Sequence, residues 1–167
     1  MSELYEGLHA LAESWLRHQS PGHTLQPTAL IHEAYIRMAK STNQPLDLDH
    51  FRALAARAMK QTLVDHARSK RRLKRGGPDL HRVTLSGLAI DSGVESSDIL
   101  AIDEAITQLG ELHERHARVV EMRCFADMTE SEMARVLGVS ERTIRSDWRF
   151  ARAWLLRSLG IDRNDEQ

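Results

Sequence analysis

Four arginines stand three, four and three residues apart: Arg142, Arg145, Arg149 and Arg152. At about 100° per residue on a helix they fall in one arc of roughly 80°. Guanidinium groups in such a row suit guanine edges in a major groove or phosphate oxygens, and the spacing does not choose between them. A second cationic set, Arg57, Lys60, Arg68, Arg71 and Arg75, shares one face of a helical pattern, with Val64 in its middle, where a ligand contact is open to it. A basic row of this length neutralises phosphates, and counterion release drives the binding. Covalent chemistry has no comparable set. His113 and His116 are three apart and Cys124 is near, but no third or fourth metal ligand follows in sequence. The two histidines are therefore expected to face solvent, and Cys124 to be buried packing. His32-Glu33 lacks the second histidine of a zinc-protease motif because position 36 is Ile, and there is no nucleophile elbow or P-loop. The expectation is a binding protein without metal or cofactor, and not an enzyme.

These side chains need rigid seats, and the sequence supplies them. In MTESEMARVLGVSERTIRSDWRFARAWL (128–155), Thr129 and Glu132 make a capping box at a helix start. Met133, Val136 and Leu137 give that helix a buried side, Gly138 suits the left-handed conformation of a tight turn, and Ser140 is placed to cap the next helix. With Ile144 as origin, Trp148, Ala151 and Leu155 lie within about 40° of it, and the arginine row lies to one side. Ser146 edges that row, Asp147 lies off it, and Phe150 and Trp154 occupy a third side, read as packing on another helix. The pattern is a helix-turn-helix. In HFRALAARAMKQTLVDHARSKRRLKRGG (50–77), Phe51, Leu54, Ala55, Ala58 and Met59 form the apolar side and Gly76-Gly77-Pro78 a strong stop. Upstream, Leu4, Leu8, Leu11, Trp15 and Leu16 have helical spacing, as do Ile31, Ala34, Tyr35 and Met38 after Pro27.

The 167 residues are 41% apolar and 28% charged, with a net charge of −1. The charge is segregated. Residues 1–50 are net −3, residues 51–75 net +8 with nine basic side chains and one acidic, and residues 76–98 and 99–167 net −3 each. A neutral sum thus conceals a local polyanion site on an acidic body. A membrane-surface role for the basic helix would call for Trp and bulky apolar residues flanking its charged face, and these are absent. The amphipathic, acidic N-terminus does not read as a signal peptide, no apolar run approaches a membrane span, and a single cysteine excludes a disulfide framework, so a cytoplasmic protein is expected. Residues 76–98, with four glycines and four serines, read as a connector whose Val83, Leu85, Leu88 and Ile90 could dock elsewhere. The expected architecture is all-α: a helical domain over 1–75, a linker over 76–98, a helix-turn-helix domain over 99–160 and a polar tail over 161–167.

The strings GHTLQPTALIHEAYIRM (22–38), HFRALAARAMKQTLVDHAR (50–68) and HERHARVVEMRCFADMTESEMARVLGVSERTIRSDWRFARAWL (113–155) resemble the extracytoplasmic-function sigma factors, the small two-domain group of the sigma-70 family. The first two resemble region two of one branch, the third region four. The resemblance implies a promoter-specificity subunit that binds core RNA polymerase, through the β′ clamp helices and the β flap, and promoter DNA; an anti-sigma protein is a further partner it leaves open. It implies polymerase contacts at Glu33, Ile36, Arg37 and Lys40. It implies minus-ten and single-strand contacts at Asn43, His50, Arg57, Lys60, Gln61, Val64, Arg68 and Arg71, with loop 41–49 capturing a flipped base. It implies minus-thirty-five contacts at Arg142, Thr143, Arg145, Ser146, Arg149 and Arg152. Many members carry an acidic residue where Ala29 stands and basic ones where Asp147 and Phe150 stand, so the promoter sequence does not carry over. The alternative from the residues alone is a stand-alone helix-turn-helix regulator acting on duplex DNA without polymerase.

Overall fold

The computed structural model describes residues 2–17, 25–41, 43, 46–73, 82–83 and 97–161. Seven helices carry the described residues: α1 (Ser2–Leu16), α2 (Pro27–Ser41), α3 (Leu48–Leu73), α4 (Ile99–Leu112), α5 (Glu114–Cys124), α6 (Glu130–Leu137) and α7 (Glu141–Ser158). The all-α class expected from periodicity holds. The departure from it is a two-residue antiparallel pairing, Arg82–Val83 (β1) with Ser97–Asp98 (β2), in which Arg82 lies opposite Asp98 and Val83 opposite Ser97. The rest of the expected connector, with Leu85, Leu88 and Ile90, lies outside the described residues, as does Arg75.

Helix starts follow local chemistry. Asp47 accepts the His50 amide at 2.9 Å and so caps α3, and Asp98 accepts the Leu100 amide at 3.2 Å at the start of α4. Pro27 opens α2, where its missing N–H costs nothing.

The centre of the molecule is α3. Helices α1 and α2 cover one side of it, and α4, α5 and α6 cover the other. Its buried residues therefore run around the helix: Ala55, Ala56, Ala58, Met59, Lys60, Thr62, Leu63, Val64 and Ala67. Its small residues let neighbouring helices approach closely. One continuous apolar core runs from Leu8, Trp15 and Leu30 through Met59 to Ile102, Phe125, Met133, Ile144 and Leu155. Trp15 of α1 meets Phe125, just past α5, edge to face with ring centroids 5.3 Å apart.

One expectation fails in α2. Tyr35, placed by spacing in the buried stripe, is 65% exposed. The buried arc is centred between Leu30 and Met38, and Tyr35 falls at its edge. Because Trp15 is fully buried and meets Phe125 edge to face, Trp15→Ala is expected to lower unfolding free energy by about 3–5 kcal/mol, read from the urea midpoint. A loss of under ~1 kcal/mol would show that α1 does not pack as described.

Candidate nucleic-acid interface

The helix-turn-helix is α6, a turn, and α7. Thr129 Oγ1 accepts the Glu132 amide at 3.2 Å, and Glu132 Oε2 accepts the Thr129 amide at 2.7 Å, completing the capping box read from sequence. Gly138 has φ 66°, in the left-handed region where a side chain would be strained. Ser140 Oγ accepts the Thr143 amide at 3.1 Å and caps α7. Ile144, Ala151 and Leu155 are fully buried beneath the helix, and Trp148 is half-buried with the Arg123 guanidinium 5.6 Å above its ring. This seat leaves Arg142, Arg145, Ser146 and Arg149 exposed and Thr143 half-buried beside Ser140. Arg145 donates to Glu130 Oε2 at 3.0 Å, an ion pair between α7 and the start of α6.

Arg152 departs from the row. Its Nε and Nη2 atoms are covered from solvent, and its charge reaches the buried Cys124 thiol. Burial pushes that thiol up to about 12, so Cys124 is packing, as expected. Asp147 lies off the row because it is buried: Arg115 Nε donates to it at 2.5 Å, and His116 Nε2 lies 3.1 Å away. The Arg115 guanidinium is held above its ordinary pKa by that hydrogen bond. His113 is exposed, but His116 is half-buried, so only one of the pair faces solvent as expected. Both rings pack on Phe150, at 5.4 and 5.0 Å between centroids. Among the described residues no group of three or more His, Cys, Asp or Glu could hold a metal ion.

The basic face of α3 is not displayed as its wheel suggests. Lys60 Nζ lies 2.7 Å from Glu121 Oε1 and 3.1 Å from Asp103 Oδ1, with its side chain only 6% exposed. Arg68 Nη2 reaches Asp103 Oδ2 at 3.5 Å, and Arg57 Nε reaches Glu121 Oε2 at 3.8 Å. Val64 is 0% exposed, so in this arrangement no ligand reaches it. The cause is one that no single-helix reading contains: α4 and α5 lie on this face. Arg71 stays exposed, and Gln61 is half-buried, donating to Asp65 Oδ1 at 3.1 Å. Beyond Arg68 the helices diverge into an open cleft with Arg68, Arg71 and Arg72 on one wall and Asp103, Glu104 and Glu111 on the other. Toward its start, α3 is tied to α6: Arg52 donates to Glu132 at 2.8 Å and to the Ala126 carbonyl at 3.3 Å, and Arg135 donates to Asp49 at 2.9 Å. Before α3, Asn43 is exposed, and in its first turn His50 Nδ1 is 2.7 Å from Asp47 Oδ2. The backbone amide of His50 is the first cause holding the Asp47 carboxyl below its ordinary pKa.

On the far side, α2 presents Glu33, Ile36, Arg37 and Lys40 to solvent. Ile36 is 55% exposed with Tyr35 beside it, an apolar pair that sequence spacing only half revealed. Arg37 donates to Asp65 at 2.6 Å and so braces α2 on α3.

The fold and these surfaces define an all-helical chain ending in a capped helix-turn-helix. The family described as ECF sigma factor matches residues 1–160, and the chain belongs to that family. It is therefore a transcription initiation factor, a promoter-specificity subunit rather than an enzyme, with RNA polymerase and promoter DNA as its partners. Comparison with curated proteins and with solved structures gave no match. Among the described residues no helix is long and apolar enough to cross a membrane.

Glu132 joins the helix-turn-helix cap to α3, which makes the site sensitive to acid. Burial pushes its carboxyl up, but the Thr129 amide and the Arg52 guanidinium outweigh this and leave it below its ordinary pKa. A lowered native pKa stabilises the fold above the ordinary carboxylate range, and that stability is lost as pH falls through the native value. Glu132→Ala is expected to cost about 1–2 kcal/mol at neutral pH, with the difference from wild type shrinking on acidification. Denaturant titrations at several pH values check this; a difference that does not change with pH would assign the loss to packing.

Proposed function

We propose that the chain directs RNA polymerase to promoters by reading two elements, one with each half. In this reading α7 enters the major groove at the minus-thirty-five element through Arg142, Thr143, Arg145, Ser146 and Arg149. Arg152, whose Nε and Nη2 atoms are covered from solvent, is withdrawn from that set. Helix α3 and the segment before it hold the minus-ten non-template strand through Asn43, His50, Arg57, Lys60, Gln61, Val64, Arg68 and Arg71. Glu33, Ile36, Arg37 and Lys40, joined by Tyr35, dock on the β′ clamp helices, and the C-terminal half meets the β flap. The working units are 1–75 and 99–160, linked by 76–98, with a polar tail over 161–167, acting in the cytoplasm.

The observation that carries this reading is the exposed arginine row on a helix whose other side is locked by Ile144, Ala151 and Leu155. A groove reader needs that combination of rigid support and long donors. Reconstitution with core polymerase tests it: promoter-dependent transcripts are expected only with the chain present. Tight duplex binding by the chain alone, with no response from core polymerase, would instead identify a stand-alone regulator.

Within this reading Arg145→Ala is expected to weaken recognition of the upstream element by about 1–3 kcal/mol, measured as holoenzyme binding to matched and mismatched duplexes. Glu130→Gln removes the ion pair and keeps the arginine, and should leave sequence preference in place. Equal losses on matched and mismatched duplexes would reduce Arg145 to a phosphate contact.

A further inference from the structure

Asp147 belongs to α7 but turns away from its arginine row. With Ile144 as origin it falls near −60° and the row between roughly 80° and 160°, so the apolar seat lies between them. Its side chain is only 6% exposed, and both of its oxygens are engaged. Arg115 Nε donates to Oδ2 at 2.5 Å and Arg115 Nη2 to Oδ1 at 3.2 Å, while His116 Nε2 stands 3.1 Å from Oδ1. One turn further along the same flank, Phe150 packs on the His113 and His116 rings. We propose that Asp147 and Arg115 are positioning residues for upstream-element recognition: their fork fixes the rotation of α7 about its own axis and so decides which base edges the arginine row reaches. This rests on the groove-reading role proposed for α7.

Stability alone does not account for the pair. Burying a carboxylate costs solvation, and an apolar residue of similar volume in such a place is often neutral or stabilising. What a carboxylate–guanidinium fork adds is direction, because two parallel bonds in one plane hold one geometry. The seat beneath α7 lacks that property. Ile144, Ala151 and Leu155 are fully buried, and apolar burial is non-directional. Rotation matters at the row: a turn of about 10° moves a group ~6 Å from the helix axis by ~1 Å, and a long side chain by more. A base contact of about 2.9 Å does not survive a stretch of ~1 Å. On the opposite flank the Arg145–Glu130 pair is 55% and 33% exposed, so water competes for it and it is the weaker constraint. The Asp147 fork is therefore the contact best suited to set the angle at which the row is presented.

The test uses holoenzyme assembled from core polymerase and the full chain. A promoter duplex randomised over the upstream element is selected with the wild-type chain, and the strongest member and its single-base variants become the probes. Affinity ratios among them are measured for wild type, Asp147→Asn, Arg115→Lys, Arg145→Ala and the double variant Arg115→Lys with Arg145→Ala. Asp147→Asn removes the charge at nearly constant shape, and Arg115→Lys keeps the charge without the fork. Each is expected to flatten the base preference about tenfold, within what one bidentate base contact carries. The salt slope should stay that of wild type, since the number of phosphate contacts does not change. At the base read by Arg145 the double variant should discriminate as Arg145→Ala alone does, because the fork acts through the row. Equal losses on every probe overturn the inference, as does a preference unchanged from wild type. Losses that add in the double variant also overturn it. If wild-type holoenzyme itself shows no upstream preference, the groove-reading role of α7 fails and the inference falls with it. Should Asp147→Asn not fold, Arg115→Lys, at an exposed position, decides alone.

Discussion

A lysine ammonium between two carboxylates at the centre of the molecule sets the arrangement of everything around it. Removing an ammonium from water costs several kcal/mol, and only close opposite charge offsets it. Lys60 therefore requires Asp103 and Glu121, and those residues sit on α4 and α5, far along the chain. Satisfying one buried charge fixes where the C-terminal helices lie against α3, and with them the direction in which α7 faces. The Arg52–Glu132 and Arg135–Asp49 pairs repeat the logic near the start of α3 and are more exposed. Pairs of that kind contribute little stability singly, but they fix register. The apolar side of the seam includes Trp15 on Phe125, so the seam is mixed rather than purely ionic.

The helix-turn-helix was legible because its determinants are local. A capping box spans four residues, Thr129 to Glu132, a left-handed turn needs one glycine, and the seat under α7 is a matter of helical phase. Thr129, Glu132, Gly138, Ser140, Ile144, Ala151 and Leu155 all stand as spacing alone required. The family resemblance drew on longer strings, and the match over residues 1–160 agrees with it.

What sequence could not reach was the second neighbour of a helix. A wheel divides α3 into an apolar face and a basic face and assumes that the basic one meets water. Lys60 and Val64 break that assumption because their cover comes from residues some forty to sixty positions away, beyond any local period. Arg152 fails for a similar reason. It shares the arc of Arg142, Arg145 and Arg149, but its Nε and Nη2 atoms are covered where those three side chains are exposed. Tyr35 errs the other way, since Leu30 pulls the buried arc of α2 away from it and leaves an apolar pair with Ile36 in solvent. Asp103 and Glu121 had no local signature at all; each reads as an ordinary acidic residue on an amphipathic helix.

The segregated charge acquires a physical meaning once the partners are known. A segment of net +8 inside a chain of net −1 is neutralised at its middle by the chain's own carboxylates. Its ends differ: Arg57 toward the start and Arg68, Arg71 and Arg72 toward the finish stay exposed, so the positive field that phosphates would meet is concentrated at the two ends of the segment rather than at Lys60.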